Sequence, residues 1–293
     1  MTALTDLSTA VARVTAAVTP SLVGIGRHLR GSGVVVAEGR VVTNAHNLRG
    51  EEVTVRFASG RSAVGRVAGV DADGDLAVIA VETAGATAIA WGDGGALGVG
   101  SVVFGASATA DGAARVTFGT VSAVERAFRG PGGRRISGSV EHTAPLAPGS
   151  SGGPLVDADG RLLGLNTNRL GDGFYLALPA DPALRARMDA LGSGESPARR
   201  RLGIMVAPAY VARRLRRSVG LPPRDGVLVR GVEDGGQAAL AGVEQGDLIV
   251  SVAGAAVTDA DDLVDALQTA TPPFEVGVVR GAEQLTLTVP GEG

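Results

Sequence analysis

The residue best suited to act as a nucleophile is Ser151. It lies in the run Ala-Pro-Gly-Ser-Ser-Gly-Gly-Pro at positions 147–154. A nucleophilic serine needs its hydroxyl exposed on a tight turn, with backbone N–H groups aimed at the carbonyl oxygen that becomes an oxyanion. The flanking glycines permit both, because they adopt backbone conformations that other residues avoid. Serine and glycine also cluster in ordinary turns, so this run alone fits a structural turn equally well.

Two further residues supply the other parts of a serine-hydrolase site. His46 ends the run Val-Val-Thr-Asn-Ala-His, where a strand would present an imidazole able to act as a general base. Asp75 directly precedes an apolar run that begins at Leu76, so its carboxylate would lie at the edge of the core and orient that imidazole. The chain order His, Asp, Ser is that of chymotrypsin-type barrels rather than of α/β-hydrolases or subtilisins.

The histidine count narrows the choice of base. The sequence contains only His28, His46 and His142. His28 precedes the predicted barrel strands and is interpreted as structural. His142 lies shortly before Ser151 without a loop motif, which makes it the weaker candidate. We therefore predict that His46 is the base.

Composition excludes several other chemistries. The sequence contains no cysteine, and all 27 Lys+Arg positions are arginine. Disulfides, thiolate metal sites, cysteine nucleophiles and Schiff-base lysines are therefore impossible. We expect no metal and no cofactor. The net charge of −3 gives no overall attraction to nucleic acid or to an anionic membrane.

Length and patterning predict two domains. The 293 residues are 45% hydrophobic and include 45 glycines, which favours a β-rich globular protein. Helical spacing predicts a helix over residues 4–18 within an N-terminal segment at 1–20, and short strands follow to about residue 178. A polar linker at 191–199 would join a first domain at 1–190 to a second at 200–293. The second domain is predicted to hold five strands and two helices.

The N-terminal sequence lacks the basic and unbroken apolar regions of a signal peptide. No stretch reaches the roughly 18 apolar residues that span a bilayer. These features predict a soluble, cytoplasmic protein, with export as the alternative if a signal has been trimmed from the chain.

Several motifs are specific in combination and cover the chain from about residue 10 to 290. In the first domain they are Gly31-Ser-Gly, Val42-Thr-Asn-Ala-His46, Asp75-Leu-Ala-Val, Gly149-Ser-Ser-Gly-Gly-Pro154 and Gly164-Leu-Asn-Thr167. In the second they are Leu202-Gly-Ile204, Ala241-Gly-Val-Glu-Gln-Gly-Asp-Leu-Ile249 and Gly254. With these motifs the sequence resembles the HtrA/Deg family of trypsin-fold serine proteases. The resemblance implies two six-stranded β-barrels followed by a small α+β PDZ domain.

The resemblance assigns catalytic roles to the three residues above. It implies that Ser151 is the nucleophile, His46 the general base and acid, and Asp75 the residue that orients the imidazole. The backbone N–H groups of Gly149 and Ser151 would form the oxyanion hole. In an active site, Ser151 and His46 should lie near hydrogen-bond reach, with the Gly149 N–H pointing into the oxyanion site.

The resemblance also implies a pocket for the substrate side chain that precedes the scissile bond. Leu146 and the strand Leu165-Asn166-Thr167 would shape this pocket and pair with the substrate backbone. None of these residues is charged, so we expect a shallow apolar pocket for small aliphatic side chains. Two nearby positions depart from the family pattern, because Ser150 and Ala147 stand where the family usually has Asn.

The second domain resembles a PDZ domain, which implies binding of C-terminal or extended peptides by strand addition. The groove would be formed by residues at the start of the domain and on a later helix, namely Leu202, Gly203, Ile204, Leu263 and Leu267. For the last two, a purely structural core role is a competing interpretation. The arginine runs at 199–201 and 213–217 are interpreted as a solvated face or an attraction for acidic peptides. We expect no nucleic-acid partner, since no aromatic platform accompanies them.

The function implied by the resemblance is ATP-independent endoproteolysis of unfolded or damaged proteins, as in protein quality control and stress response. Many family members are homotrimers built through aromatic N-terminal contacts, and this N-terminal segment has no aromatic residue. The alternative function is a catalytically silent, chaperone-like protein that binds peptides on a protease fold.

Overall fold

The computed structural model describes residues 3–110, 112–130, 135–196, 202–207 and 209–291. The chain divides into two compact units, Met1–Pro197 and Ala198–Gly293. The predicted linker at 191–199 begins inside a helix of the first unit, and its positions 197–199 lie outside the described residues. The arginine run at 199–201 also lies outside them.

The first unit contains two closed six-stranded barrels, as predicted. The first barrel consists of β1 (Leu22–Ile25), β2 (Gly31–Ala37), β3 (Arg40–Thr43), β4 (Glu52–Phe57), β5 (Ser62–Asp71) and β6 (Leu76–Ala80). The second consists of β7 (Val102–Ala108), β8 (Ala114–Arg129), β9 (Arg135–His142), β10 (Pro154–Val156), β11 (Leu162–Gly171) and β12 (Phe174–Pro179). Around the barrels the strands are hydrogen-bonded in the orders β1-β2-β3-β6-β5-β4 and β10-β11-β12-β9-β8-β7.

Alternating side chains fill the barrel interiors. In β4, Val53, Val55 and Phe57 are buried, while the residues between them are less so, as the two-residue period of a strand requires. The strand β6, in contrast, buries four consecutive residues from Leu76, because it packs on both faces. The apolar run after Asp75 is therefore an interior strand, which fixes that aspartate at the edge of the core.

Two helices flank the barrels. The helix α1 (Ala3–Val18) confirms the predicted N-terminal helix and packs on β7 and β8, burying Val14 and Val18. The helix α2 (Pro182–Gly192) starts at Asp181, whose carboxylate accepts a hydrogen bond from the Leu184 N–H at 2.7 Å. Its buried face packs on β5 and β6. Gly69 allows this close approach, because a Cβ there would clash with the backbone of the helix.

The second unit is a small α+β domain. It consists of β13 (Ile204–Ala207), α3 (Ala209–Ser218), β14 (Val227–Val232), α4 (Gln237–Leu240), β15 (Leu248–Val252), β16 (Ala255–Ala256), α5 (Ala260–Thr269), β17 (Phe274–Arg280) and β18 (Glu283–Val289). The sheet order is β13-β14-β15-β17-β18, with β16 paired to β15. The prediction of five strands and two helices therefore missed β16 and α3. The helix α3 was missed because its sequence reads as a charged run.

Two arginines of the 213–217 run make contacts within this unit rather than forming a free face. Arg213 pairs with Asp225 at 3.0 Å. Arg216 is buried, and its Nε donates to the carbonyl oxygen of Pro222 at 3.2 Å. In the described part of the chain, no helix is both long and apolar enough to cross a membrane.

Candidate active site

The His46 and Asp75 side chains form a hydrogen-bonded pair in the first barrel. His46 lies on a single 3-10 turn after β3, and its Nδ1 is 2.9 Å from both carboxylate oxygens of Asp75. The backbone N–H of His46 donates to the same carboxylate at 3.1 Å. Since an ionised carboxylate only accepts, we assign the proton to Nδ1, which leaves Nε2 as a free base.

Two further contacts hold the Asp75 carboxylate and its backbone. Asp75 is 1% exposed and has a φ of +52°, in the left-handed region that aspartate tolerates better than most residues. The Thr167 hydroxyl donates to its Oδ2 at 2.7 Å. The Asn44 side-chain amide donates to its carbonyl oxygen at 2.9 Å. The carboxylate is thus satisfied from two barrels and cannot easily turn away from His46.

The turn that carries Asp75 is itself clamped by α2. Asp71 accepts the N–H of Gly74 at 2.8 Å through Oδ1, and the Arg187 guanidinium at 2.5 Å through Oδ2. Arg187 also donates to the Gly74 carbonyl oxygen at 3.3 Å. Asp71 and Arg187 together therefore support the turn that carries Asp75.

The backbone of Ser151 is anchored to the first barrel. Its carbonyl oxygen accepts two hydrogen bonds, from the Ser32 N–H at 2.8 Å and from the Asn47 side-chain amide at 2.9 Å. The Ser32 hydroxyl donates to the Gly149 carbonyl oxygen at 2.8 Å. Gly152 follows with a φ of +84°, and a Cβ there would clash with Ser32. The glycine after Ser151 is therefore needed for the close approach of the two barrels.

The residues before Ser151 form a turn suited to an oxyanion hole. The Ser150 N–H donates to the Ala147 carbonyl oxygen at 3.2 Å, and Gly149 has a φ of +86°. A four-residue turn with proline second and a positive φ at the third position is type II. In a type I turn the peptide between Pro148 and Gly149 would be turned over, and the Gly149 N–H would point the other way.

The turn forms although Ser150 and Ala147 stand where the family that the sequence resembles usually has asparagine. Pro148 presets the first backbone angle, and Gly149 supplies the positive φ, so the turn is determined by those two residues. Within the described residues, neither the Gly149 N–H nor the Ser151 N–H has a hydrogen-bond acceptor. Both donors are free to bind an oxyanion.

The Ser151 hydroxyl differs from the expected arrangement. Its Oγ donates to the carbonyl oxygen of Thr167 at 3.0 Å, and among the described residues no hydrogen bond joins it to His46. Thr167 is the extra residue of a β-bulge, because Asn166 pairs with Ala177 while Asn168 pairs with Leu176. The bulge aims the Thr167 carbonyl oxygen at Ser151 and so offers the hydroxyl an alternative acceptor.

A cavity of about 140 Å³ lies beside Ser151. Of the four residues expected to bind substrate, its described lining includes Leu146, Asn166 and Thr167 but not Leu165, which is fully buried in the core. Leu165 alternates to the inner face of β11, so it does not reach the cavity. Two further lining residues, Arg169 and Tyr175, were not foreseen. The expectation of an uncharged pocket therefore does not hold for the described lining.

The other two histidines lie apart from this constellation. His28 is exposed, contrary to its interpretation as structural. His142 is fully buried and stacks on Tyr175 at a centroid distance of 5.9 Å. Burial lowers its pKa to about 4, although its hydrogen bond to Asn166 at 3.0 Å acts in the opposite direction. A neutral histidine held in this way is a packing residue and not the base for Ser151.

The predicted groove residues of the second unit fall into two groups. Leu202, Leu263 and Leu267 are buried in its hydrophobic core. Gly203 and Ile204 are partly exposed, and Gly203 has a φ of +73°. For Leu263 and Leu267, the core interpretation therefore has direct support.

Comparison with known proteins identifies the family. Residues 31–165 match the family described as trypsin-like peptidase domain, and residues 228–280 match PDZ domain. The putative serine protease HhoA of Synechocystis is 31% identical over 278 residues, which cover 89% of this chain and 70% of that protein. The chain belongs to the HtrA family of serine proteases.

Other HtrA relatives are longer. The probable periplasmic serine endoprotease DegP-like of Halomonas elongata is 31% identical, and the match covers 90% of this chain and 56% of that protein. The mitochondrial serine protease HTRA2 of Drosophila pseudoobscura pseudoobscura is 29% identical, with coverages of 89% and 66%. The chain thus spans less than two thirds of the length of these two relatives.

Solved HtrA structures resemble this one along nearly the whole chain. The HtrA-type protease AlgW with decapeptide has a TM-score of 0.74 at 25% identity, covering 96% of this chain and 97% of that one. The serine endoprotease from Yersinia pestis has a TM-score of 0.70 at 25% identity, covering 95% and 96%. The family expected from the motifs is confirmed.

Proposed function

We propose that this protein is an ATP-independent serine endopeptidase of the HtrA type that cleaves unfolded or damaged polypeptides. The observation that carries the proposal is the His46–Asp75 pair together with a Ser151 backbone tied to the same barrel by Ser32 and Asn47. A loop that served only as a turn would not need its serine backbone tied to the barrel that carries a histidine–carboxylate pair.

The proposed reaction begins with rotation of the Ser151 hydroxyl away from the Thr167 carbonyl oxygen. A substrate backbone N–H can then donate to that carbonyl, so substrate binding itself would release the hydroxyl. Oγ attacks the scissile carbonyl carbon while His46 Nε2 takes its proton. Asp75 holds the imidazole and stabilises the imidazolium through Nδ1–H.

The remaining steps use the same groups. The carbonyl oxygen, now negative, accepts hydrogen bonds from the N–H groups of Gly149 and Ser151. The intermediate collapses to an acyl-enzyme as His46 gives its proton to the leaving amine. A water molecule, deprotonated by His46, then attacks the acyl carbon and regenerates the Ser151 hydroxyl.

Hydrolysis of an unfolded protein tests this function. Wild type should degrade casein without ATP, and Ser151→Ala should abolish degradation while circular dichroism remains unchanged. Ser62→Ala, at an exposed position on β5, is the matched control and should retain wild-type activity. Casein degradation that persists in Ser151→Ala would contradict the proposal.

For the second unit we propose capture of C-terminal or extended peptides along β13. This strand is at one edge of its sheet, so its outer backbone groups can pair with an added strand. Met205 and Val206 are exposed along it.

A labelled peptide with a free carboxyl end should bind the full chain more tightly than its amidated form, as measured by fluorescence anisotropy, and Ile204→Glu should weaken binding. Equal affinities for both peptides would contradict carboxylate capture.

Assembly and compartment are proposed on the family alone. We propose a homotrimer, which a mass measurement in solution tests, and a monomeric mass would refute it.

The Halomonas relative is described as periplasmic, which supports export over the cytoplasmic expectation. Fractionation of the source cells tests export. Recovery of the protein in the soluble cytoplasmic fraction would refute it.

A further inference from the structure

The cavity beside Ser151 has an uneven chemical character. Leu146 and Tyr175 give it apolar walls, and Arg169 is the charged side chain in its described lining. Tyr175 is only 6% exposed, so its ring forms a fixed wall. A volume of about 140 Å³ accommodates a short substrate side chain. An apolar side chain and a charged one of this size would both fit.

Arg169 is held at this cavity by strand pairing. It lies directly opposite Tyr175 in the β11–β12 register, so the two side chains share one face of the sheet. The guanidinium carbon is 5.9 Å from the centroid of the Tyr175 ring, within the range of a cation–π contact. The backbone N–H of Arg169 also donates to Asn168 Oδ1 at 2.9 Å.

The positive charge of Arg169 is not neutralised within the described part of the chain, where it makes no ion pair. Glu141 lies on β9, which is separated from β11 by β12, and its carboxylate is already engaged. It pairs with Arg126 at 3.1 Å and accepts the Ser122 hydroxyl at 2.9 Å. A carboxylate entering the cavity would therefore meet an available guanidinium without displacing an internal partner.

We propose that Arg169 determines specificity, so that the site prefers an acidic residue, Asp or Glu, immediately before the scissile bond. The inference rests on the proposed proteolytic function and names its substrate class. The acidic carboxylate pairs with the guanidinium at the cavity mouth, while its methylene groups contact Leu146 and Tyr175. Because Arg169 is exposed, the gain is modest, roughly three- to fivefold in kcat/KM over the neutral amide.

Matched fluorogenic peptides that differ only at this residue test the proposal. Wild type should cleave the Glu peptide roughly three- to fivefold faster than the Gln peptide, and added salt should reduce this ratio. Arg169→Gln should bring the ratio close to one. Arg161→Gln removes the same charge from an exposed position outside the cavity lining and should keep the wild-type ratio.

The outcomes separate this inference from the proposed function. Cleavage of a Val peptide by wild type but not by Ser151→Ala supports proteolysis by this site whatever the charge preference. If the Glu and Gln peptides are then cleaved equally, or if Arg169→Gln keeps the preference, the inference is overturned and the proteolytic function stands. If wild type cleaves no peptide in the set, whether or not casein is added, then both the specificity inference and the proposed proteolytic function are overturned.

Discussion

The hydroxyl of Thr167 donates a 2.7 Å hydrogen bond to Oδ2 of Asp75, although 92 positions separate the two residues in the sequence. The carbonyl oxygen of the same threonine accepts the Ser151 hydroxyl at 3.0 Å. One bulged residue of the second barrel therefore contacts both the carboxylate of the first barrel and the proposed nucleophile. Removing its hydroxyl should affect catalysis more than folding.

The first prediction is that Thr167→Val lowers kcat by roughly 10-fold or more, because a hydrogen bond to a charged group is worth about 1.5–3 kcal/mol. KM should change less than kcat, since the lost hydrogen bond is to Asp75 and the Thr167 carbonyl oxygen that would meet the substrate is kept. Thr167→Ser keeps the hydroxyl and should retain most of the activity. Equal kcat values for the Val and Ser variants, measured on one peptide, would rule out this role.

The second prediction concerns the clamp between Arg187 and Asp71. Arg187→Gln should lower kcat by roughly 10-fold, because the turn that holds Asp75 at a positive φ loses its support. The double variant with Asp71→Asn should be no worse than the single one, since both remove the same contact. Arg185→Gln, on the same helix, is the control and should leave kcat unchanged. Strictly additive losses would show that the two residues act independently.

The third prediction is that Gly149→Ala lowers kcat by roughly 100- to 1000-fold, the cost of losing one oxyanion donor. A Cβ at this position would meet Leu29 at 3.4 Å, an ordinary contact, so the effect comes from the positive φ. Gly60→Ala is a matched control, because Gly60 has a φ of +83° and open space around it. Both variants should lose similar stability in urea, but only the first should lose activity. A comparable kcat for the two would argue against the oxyanion turn.

The fourth prediction is a loss of stability at acidic pH caused by His142. Burial lowers its pKa to about 4 from 6.5, so between these values the unfolded chain binds more protons than the folded one. Stability is therefore full above about pH 6.5 and decreases as the pH falls toward 4, by roughly 3 kcal/mol in total.

Urea unfolding followed by the fluorescence of Trp91, the single tryptophan and a residue of the first unit, measures this effect. His142→Gln keeps a donor for Asn166 but does not titrate, so its unfolding free energy should depend less on pH across this interval. If the variant and wild type lose the same free energy between about pH 7 and pH 4.5, then His142 is not responsible.

The sequence allowed the proposed catalytic trio to be selected because each member lies in a local pattern. Strand ends at His46 and Asp75 and a glycine-rich turn at Ser151 are visible in short windows. The contacts that orient them are not local: the Thr167 bulge and the Arg187 clamp join segments more than 90 residues apart. Likewise, Arg169 and Tyr175 face one cavity only because of the β11–β12 register, which no short motif encodes.

For the proposed oxyanion turn, in contrast, the local sequence is enough to predict the backbone conformation. Ser150 and Ala147 depart from the family pattern, yet the conformation of the loop depends on Pro148 and Gly149, which a turn rule identifies directly. The orientation of the Ser151 hydroxyl toward Thr167 could not have been predicted, because it depends on an acceptor that the bulge supplies.

Labelling by a fluorophosphonate, with the modified residue located by peptide mass spectrometry, is the most direct test of Ser151 as an activated nucleophile. The structure predicts a single label on Ser151 in wild type, no label in Ser151→Ala, and a labelling rate lower by roughly 1000-fold or more in His46→Ala. Labelling of Ser151 at the wild-type rate in His46→Ala, or undiminished labelling of Ser151→Ala, would contradict the account.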